Sequence, residues 1–363
     1  MSNSFIFITQ VVPKAEVSKL KLSQAANNFC FRVAEACDCY HISIVPISIK
    51  RILNCNREDD CVYFQVRKYV HRGITKWLNV LIENILVFRH VRQRKEINIW
   101  LYNIILPNII LFFLLKYFTK KHVHVLLADY NPSRYPWILK KLILLALQKC
   151  DGIISLSGRC KIKGQRILNI PGIYPQSEIS KSVGKFYGNH KFLLSGTINK
   201  NTGLDLALKT FKGIKEAELY ISGTTGTSES LLIKQYENEY PNIHYLGMLP
   251  SYTSYLNLLN EVDFVLSLRD PKEEVNLYNF PSKIIETLAH NRPVISTIDY
   301  VELKGLNYFI CNYNIEALSE LVRKLLVIDK ESMKPYLDNY EILSKRSSEI
   351  AWRDGFNRMN NEV

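Results

Sequence analysis

Residues 263–297 read DFVLSLRDPKEEVNLYNFPSKIIETLAHNRPVIST. The stretch holds an apolar run over Asp263–Leu268, an amphipathic segment over Pro281–His290 and a second apolar run over Pro293–Thr297. Short apolar runs bounded by polar residues are typical of buried strands, and a proline is favoured in the first turn of a helix. A strand, a crossing helix and a second strand form the unit from which parallel sheets are built. The stretch therefore predicts an α/β fold.

The same alternation continues on both sides of this unit. In the first half, the predicted strands are Phe5–Thr9, Tyr40–Ile47, Ile97–Tyr102, His122–Ala128 and Gly152–Leu156, and the predicted helices are Ala15–Ala36, Ile74–Arg92, Pro107–Phe118 and Ser133–Gln148. In the second half, further strands are predicted at Lys191–Ser195, Ala217–Ser222 and Ile243–Leu246, and helices at Gly203–Phe211, Ile315–Val327 and over most of Ser332–Met359. Repeated β-α-β units predict parallel sheets covered by helices on both faces.

The length of 363 residues favours two domains. A polar stretch with two glycines, Ser180–His190, separates the two series of elements. We therefore predict a domain over residues 1–185, a second over 186–340 and a helical tail over 341–363 that packs back on the first. Two doubly wound domains of this kind would face each other across a cleft, with ligands at the carboxyl ends of the strands.

Charge is distributed unequally between the two halves. The chain carries a formal net charge of +13, which divides into +17 over residues 1–185 and −4 over the remainder. Such asymmetry indicates that the first half faces an anionic partner, either nucleic acid, a membrane surface or a phosphorylated substrate.

One apolar run, residues 97–118, is long enough to span a bilayer. Asn103, Pro107 and Asn108 interrupt its middle, so a buried strand followed by a buried helix is the favoured interpretation. The N-terminus lacks the basic and apolar regions of a signal peptide. The eight cysteines include no CxxC pair and show no zinc-ligand spacing. These features predict a protein without a metal or other cofactor, located in the cytoplasm.

The helix within the opening stretch carries the residue types of an anion site. Pro281, Ser282 and Lys283 stand at its predicted start, where free backbone N–H groups and a lysine favour a phosphate. Glu286 lies three residues further, on the same face, where a carboxylate can accept hydrogen bonds from two adjacent ribose hydroxyls. An ordinary amphipathic helix with a surface Glu–Lys pair explains the same residues and stays an alternative.

This segment resembles the nucleotide-binding helix of retaining glycosyltransferases with the GT-B fold, the group 1 family common in bacterial polysaccharide biosynthesis. Glu286 matches the second glutamate of the family's E-x7-E pattern, and Asn291–Ile295 matches the turn and strand that follow. Tyr278 stands in place of the first glutamate. A subgroup with FPSK before the helix also lacks that glutamate, and Phe280–Lys283 matches it.

The resemblance extends over about residues 190–330 and implies further donor-site residues. Gly196, Thr197, Lys200 and Gly203 fall in the family's first loop of the second domain, where threonines replace the usual cations and Lys200 is a substitute. Gly223 matches the next glycine turn, and Gly247 with Met248 matches the loop that frames the base. Arg269 is a candidate partner of the diphosphate, or a surface residue that pairs with Asp270 or Glu273.

The first half resembles the family less distinctly. Asp129 follows a predicted strand at a position that lines the acceptor cleft in the family. It is a candidate acid or base, or a residue that caps the following turn.

The resemblance implies a glycosyltransferase that moves a sugar, with retention, from a UDP- or GDP-linked donor to a lipid-linked or oligosaccharide acceptor. Lys283, Arg269 and Asp129 are the candidate catalytic residues, and no nucleic-acid partner is expected. The basic first half would place the enzyme at the anionic inner face of the cell membrane. The alternatives are a sugar-nucleotide epimerase on the same fold and a basic nucleic-acid-binding protein.

Overall fold

The computed structural model describes residues 5–17, 24–44, 57–58, 60–64, 74–130, 135–174, 176–181 and 184–361. It has the predicted α/β class, with two separate, largely parallel sheets. The chain divides into two compact units. The first contains Met1–Pro175, Leu277–Phe280 and Ser347–Val363, and the second contains Gln176–Asn276 and Pro281–Arg346. The division falls after Pro175, ten residues before the predicted boundary, and the first unit takes its last segment from residue 347 onward.

The elements before residue 175 follow the predicted order. The strands are β1 (Ile6–Thr9), β2 (Tyr40–Ile44), β3 (Arg57–Glu58), β4 (Cys61–Phe64), β5 (Asn98–Tyr102), β6 (His122–Leu127), β7 (Ile153–Ser155) and β8 (Ile167–Asn169). The helices are α1 (Gln24–Cys37), α2 (Ile74–Arg92), α3 (Ile109–Phe118) and α4 (Trp137–Lys149). The sequence did not predict β3, β4 or β8. Residues 18–23, 45–47 and 133–134 of predicted elements lie outside the described residues.

The elements after residue 175 include three helices and one strand that the sequence patterns did not indicate, namely Thr227–Glu239, Tyr252–Glu261, Val275–Tyr278 and Phe309–Ile310. The strands are β9 (Lys191–Ile198), β10 (Glu218–Thr225), β11 (Ile243–Gly247), β12 (Phe264–Ser267), β13 (Val294–Ser296) and β14 (Phe309–Ile310). The helices are α5 (Leu204–Phe211), α6 (Thr227–Glu239), α7 (Tyr252–Glu261), α8 (Val275–Tyr278), α9 (Lys283–Ala289), α10 (Ile315–Leu326), α11 (Lys330–Met333), α12 (Tyr340–Arg346) and α13 (Glu349–Asn361).

Each sheet reverses its strand order once. The first sheet has the order β3-β4-β2-β1-β5-β6-β7-β8 and the second has the order β11-β10-β9-β12-β13-β14. All pairings are parallel except that of β3 with β4. The reversals fall between β1 and β5 and between β9 and β12. Ligands of open parallel sheets bind outside the carboxyl ends of the strands at such reversals.

The first sheet carries helices on both faces. Residues of α2, α3 and α4 share one buried cluster with alternate residues of β1, β2, β5, β6 and β7. On the other face, α13 packs against α1, and the Phe356 ring stacks on Phe5 with centroids 4.6 Å apart. Trp352 is fully buried in this layer and donates its indole N–H to the carbonyl of Gly172 at 2.7 Å. Chain end and chain start thus form one core.

The apolar run over residues 97–118 forms β5 and α3 rather than one long helix. The helix begins at Ile109, two residues after the predicted Pro107, because Asn108 is the N-cap and hydrogen-bonds the backbone at Asn103 and Ile105. Among the helices of the described residues, none has both the length and the apolar character needed to cross a membrane.

Candidate functional site

The edge of the second sheet at its strand reversal is shaped by two glycines. The predicted strands ended at Ser195 and Ser222, but β9 and β10 continue in register beyond Gly196 and Gly223. Their φ angles are +115° and +145°, values that L residues rarely adopt. A Cβ on Gly223 would lie 1.7 Å from the Gly196 carbonyl oxygen. The backbone of β9 therefore approaches that of β10 so closely that a side chain at Gly223 would not fit.

Lys283 is the cation at this edge. Its Nζ lies 3.4 Å from the Ser195 hydroxyl and 5.0 Å from the centroid of the Tyr255 ring. A Cβ on Gly196 would meet that Nζ at 3.2 Å, so the lysine lies directly over the glycine. Burial lowers the pKa of Lys283 from its usual 10.5, and the nearby Glu286 carboxylate partly opposes this shift. The site thus holds a partly buried ammonium group over the backbone of β9 at Gly196.

Glu286 lies one turn further along α9 and is held by a tyrosine. The Tyr252 hydroxyl donates to its Oε1 at 2.9 Å. Tyr255, one turn after Tyr252 on α7, is half-buried with its hydroxyl inside, and burial together with the Glu286 charge raises the pKa of that hydroxyl. The structure therefore brings together Gly196, Lys283 and Glu286, three of the candidate site residues.

Ser195, Tyr252 and Tyr255 were not among the predicted site residues. The two tyrosines have the i, i+3 spacing that places them on one face of α7. This spacing was the available signal, but it does not indicate which element the face contacts.

The helix start differs from the prediction. Helix α9 spans Lys283–Ala289 and not Pro281–His290, so Pro281 lies outside it and Ser282 is the N-cap without a side-chain capping bond. A backbone bond from the N–H of Ile284 to the carbonyl of Pro281 forms the turn that enters the helix. Phe280 is buried and belongs to the first unit, whereas Pro281 and Ser282 belong to the second.

The loop after β9 is fixed by its own polar side chains. Asn199 and Thr202 cap each other across a short 3₁₀ helix, Lys200–Thr202. Gly203 follows with φ +78°, and a Cβ there would lie 2.3 Å from the Cβ of Leu268. The loop is therefore pressed against the end of β12 at the strand reversal. Lys200 is exposed on this loop, and Thr197 is exposed near the end of β9.

Arg269 stands on the other side of the reversal, directly after β12 and Leu268. Its backbone N–H donates to the Thr297 hydroxyl at 2.7 Å, and that hydroxyl donates to its carbonyl at 2.7 Å. Its guanidinium donates to the Asn276 side chain at 3.2 Å. The partner is thus an asparagine, whereas the alternative prediction named Asp270 or Glu273. Thr297, at the end of β13, fixes the backbone that presents the arginine.

Gly247 and Met248 lie at the end of β11. Gly247 has φ +63°, and its carbonyl accepts a hydrogen bond from Ser222 at 3.1 Å. Met248 is 44% exposed. An exposed thioether at the carboxyl edge of the sheet offers an apolar surface to a flat ring.

Asp129 belongs to the first unit. It is exposed after β6, and its backbone N–H, like that of Ala128, donates to the Asn103 side chain, at 3.1 Å and 2.8 Å. Asn103 itself has φ +54° at the end of β5, beside the reversal of the first sheet. Asp129 therefore lies at the carboxyl ends of the strands, at the edge where ligands of such sheets bind.

Within the described ranges, no three His, Cys, Asp or Glu side chains are grouped as a metal site would require.

One family model matches part of the second unit. Residues 189–327 match the model described as glycosyl transferases, group 1. No curated protein matches the sequence significantly.

Solved structures resemble the chain over nearly its whole length. HepE of Anabaena in complex with UDP and glucose has a TM-score of 0.71 at 10% identity, over 99% of this chain and 100% of that one. Sucrose-phosphate synthase from Thermosynechococcus elongatus has a TM-score of 0.75 at 10% identity, over 99% and 98%. Trehalose 6-phosphate synthase from Burkholderia multivorans has a TM-score of 0.69 at 11% identity, over 99% and 96%. These likenesses show that the fold is GT-B.

Proposed function

Taking as premise a transferase enzyme whose residues 189–327 form a group 1 glycosyltransferase domain, we propose that it moves a sugar from a nucleoside-diphosphate sugar to a lipid-linked or oligosaccharide acceptor. The anomeric configuration is retained, as the resemblance to the retaining family implies. The reaction serves the biosynthesis of a bacterial cell-surface polysaccharide and takes place at the cytoplasmic face of the membrane, without a metal or other cofactor.

The observation that carries the proposal is the position of Lys283 over Gly196. A backbone without a side chain, next to a partly buried ammonium, admits a diphosphate to within contact distance of the cation. Burial lowers the pKa of Lys283, so its positive charge is favoured by an anion placed beside it. A bound diphosphate supplies that anion. The complexes of HepE of Anabaena with UDP and with UDP-glucose support UDP as the carrier.

Glu286 is proposed to bind the ribose. Its carboxylate already accepts one hydrogen bond from Tyr252, which leaves lone pairs for two ribose hydroxyls. Tyr252 fixes the Glu286 carboxylate before the nucleotide binds, so binding costs little side-chain entropy at this residue. Gly247 and Met248 are proposed to lie beside the base, and Gly223, Thr197, Lys200 and Gly203 to line the loops around the phosphates.

The chemical step requires stabilisation of the departing nucleoside diphosphate. Lys283 and Arg269 are the cations proposed for this task, because charge that develops on the leaving phosphate is best stabilised by preorganised donors in a partly desolvated site. Ser282 and Pro281 hold the entry to α9 and thereby the position of Lys283. Asp129 of the first unit is proposed to contact the acceptor.

A turnover assay tests the proposal. We expect release of free UDP from a UDP-sugar only when a lipid-linked or oligosaccharide acceptor is added, with a product that keeps the anomeric configuration of the donor by NMR. An epimerase would instead change the donor sugar without acceptor and without release of UDP. Failure to bind any nucleotide would remove the transferase proposal altogether.

A further inference from the structure

We propose that the outward face of the helical layer α2–α3–α4 is a docking surface for an anionic lipid bilayer. The inference deepens the membrane association proposed above and rests on it for its biological meaning. The surface itself is assigned from the first unit alone, without reference to the nucleotide site.

The three helices form one layer on one face of the first sheet. Helix α2 connects β4 to β5, α3 connects β5 to β6 and α4 connects β6 to β7, and all three connections run in the same direction across the sheet. Because such connections are right-handed, the three helices lie on the same face. Helix α3 packs between α2 and α4, and the inner sides of all three join one buried cluster. Their outer sides therefore form a single surface that points away from the sheet.

This outer surface is apolar where a soluble protein would carry charge. Its exposed large apolar residues, in chain order, are Trp77, Leu78, Leu81, Ile82, Leu86, Ile110, Tyr117, Phe118, Trp137, Ile138, Leu142 and Leu145. On α4, the exposed Ile138, Leu142 and Leu145 follow one another at helical spacing. Twelve such residues on three adjacent helices exceed the scattered apolar residues of an ordinary surface and indicate an interaction site.

The charges of the layer have one sign. Its helices contain seven basic residues, Lys76, Arg89, Arg92, Lys116, Lys140, Lys141 and Lys149, and a single acidic residue, Glu83, which is buried. Of the seven, Lys116 pairs with Asp151, which follows α4, at 2.6 Å. Lys141 is exposed and lies 4.8 Å from the centre of the exposed Trp137 ring. A face with aromatic and aliphatic residues interleaved with lysines matches the boundary between lipid tails and anionic headgroups.

Charge also distinguishes a bilayer from a second copy of the chain. Two copies joined through this face would bring together the basic layers of two halves that each carry a net charge of +17. An anionic bilayer instead gains from each basic residue near its surface, about 1 kcal/mol per residue. Trp77 and Trp137 stand near the starts of α2 and α4, at the end of the sheet where the strands have their carboxyl termini and where Asp129 lies. Docking would hold that end near the lipid.

Vesicle flotation of the full chain tests the surface. We expect flotation with vesicles of phosphatidylcholine mixed with phosphatidylglycerol, and weaker flotation with phosphatidylcholine alone or at high salt. The double variant Lys141→Glu/Leu142→Gln should reduce partitioning about tenfold or more, because it reverses one charge and removes one inserted side chain. The control Leu231→Gln/Lys234→Glu makes the same changes on exposed positions of α6 in the second unit and should float like the wild type.

Tryptophan quenching gives a second test that needs no variant. Trp77 and Trp137 are 47% and 67% exposed, whereas Trp100 and Trp352 are fully buried. Anionic vesicles with brominated lipid should therefore quench part of the fluorescence. The docking surface would be overturned by any one of four results. These are no quenching, equal binding to neutral and anionic vesicles, unchanged flotation of the α4 variant, and a dimer that this variant dissociates. None of these results affects nucleotide binding, which tests the transferase separately.

Discussion

Lys283 is the residue on which the site depends, and its environment opposes its charge. The ammonium is partly buried between Gly196, Ser195 and Tyr255, and burial lowers its pKa. A partly buried charge of this kind lowers the stability of the fold and is retained where binding requires it. The residue is therefore expected to lower stability by itself and to favour the binding of an anion.

The first prediction follows from this conflict. Lys283→Met should stabilise the nucleotide-free protein by about 1 kcal/mol, since it removes a desolvated charge and keeps the apolar stem. The same variant should lose stabilisation by UDP. Calorimetric melting with and without UDP measures both effects. A variant that melts earlier than the wild type and still responds to UDP would contradict the assignment.

The pH dependence provides a second prediction. Between the lowered pKa of Lys283 and its usual 10.5, the unfolded chain binds more protons at this residue than the folded one. Its contribution to the free energy of unfolding therefore rises with pH across that window. Urea unfolding at several alkaline pH values should show that the free energy of unfolding of the wild type rises relative to that of Lys283→Met as the pH increases. A constant difference between the two proteins would argue that the lysine is not desolvated.

Glu286 carries the third prediction. Glu286→Gln keeps the size of the side chain but removes the charge that strengthens hydrogen bonds to ribose hydroxyls, so UDP affinity should fall about tenfold. Titration calorimetry measures the change. Glu316→Gln, an exposed glutamate of α10 in the same unit, is the matched control and should bind like the wild type. Equal affinity in both variants would remove Glu286 from the site.

Residues within one short motif were predictable, whereas their partners were not. Lys283 and Glu286 lie within four residues of each other, and their spacing on one helix face is readable from the sequence. Ser195 and Tyr252 are 88 and 34 residues away from the groups they meet. Such contacts depend on the pairing of strands and the placement of α7, which local patterns do not specify.

At the scale of elements, the paired glycines of β9 and β10 decide the shape of the site. A Cβ at Gly223 would collide with the backbone of Gly196, and its φ of +145° is open essentially to glycine alone. At Gly247, φ is +63° and no atom lies within 4 Å of an added Cβ. An added Cβ would therefore meet both a steric collision and a strained φ at Gly223, but only a strained φ at Gly247.

The fourth prediction uses that contrast. Gly223→Ala should lower the free energy of unfolding by about 3 kcal/mol or more, because the backbone at Gly196 must move and the new alanine must adopt a strained φ. Gly247→Ala should cost only about 1–2 kcal/mol, the strain of a left-handed residue. Urea unfolding followed by circular dichroism compares them. Equal costs would mean that β9 and β10 do not approach as described.

Element prediction succeeded where periodicity was strong, and it missed the short strands β3, β4, β8 and β14 and the helices α6, α7 and α8. The predicted bounds of Ile74–Arg92 agree with α2 because nineteen residues give a sustained helical pattern. β8, with three residues, gives almost none. The strands β9 and β10 were predicted too short because glycine weakens a strand and so predicts its end. In the structure Gly196 and Gly223 pair with each other, and both strands continue beyond them.

At the scale of the molecule, the first unit is completed by the last helix. Phe356 of α13 contacts Phe5 and Trp100, with ring centroids 4.6 Å away in both cases. All three are fully buried. A core made from residues 5, 100 and 356 cannot be recognised from local sequence, although the sequence did predict a helical tail.

The fifth prediction concerns this core. Phe356→Ala should destabilise the first unit by about 3–5 kcal/mol through the cavity that it leaves. All four tryptophans lie in the first unit, so their fluorescence reports its unfolding, while UDP binding reports the second unit. Ile350→Ala, on the exposed side of the same helix, should leave the transition unchanged. Similar transitions for the two variants would place α13 outside the core.

The central claim is that the second unit binds a nucleoside diphosphate at Lys283 and Glu286. The most direct test is a thermal-shift series with UDP, GDP, ADP and CMP on the wild type and on Glu286→Gln. We expect at least one nucleoside diphosphate, with UDP first, to raise the melting temperature of the wild type and to raise that of Glu286→Gln less. A wild-type melting temperature that none of the four nucleotides raises would contradict a nucleotide site at Lys283 and Glu286.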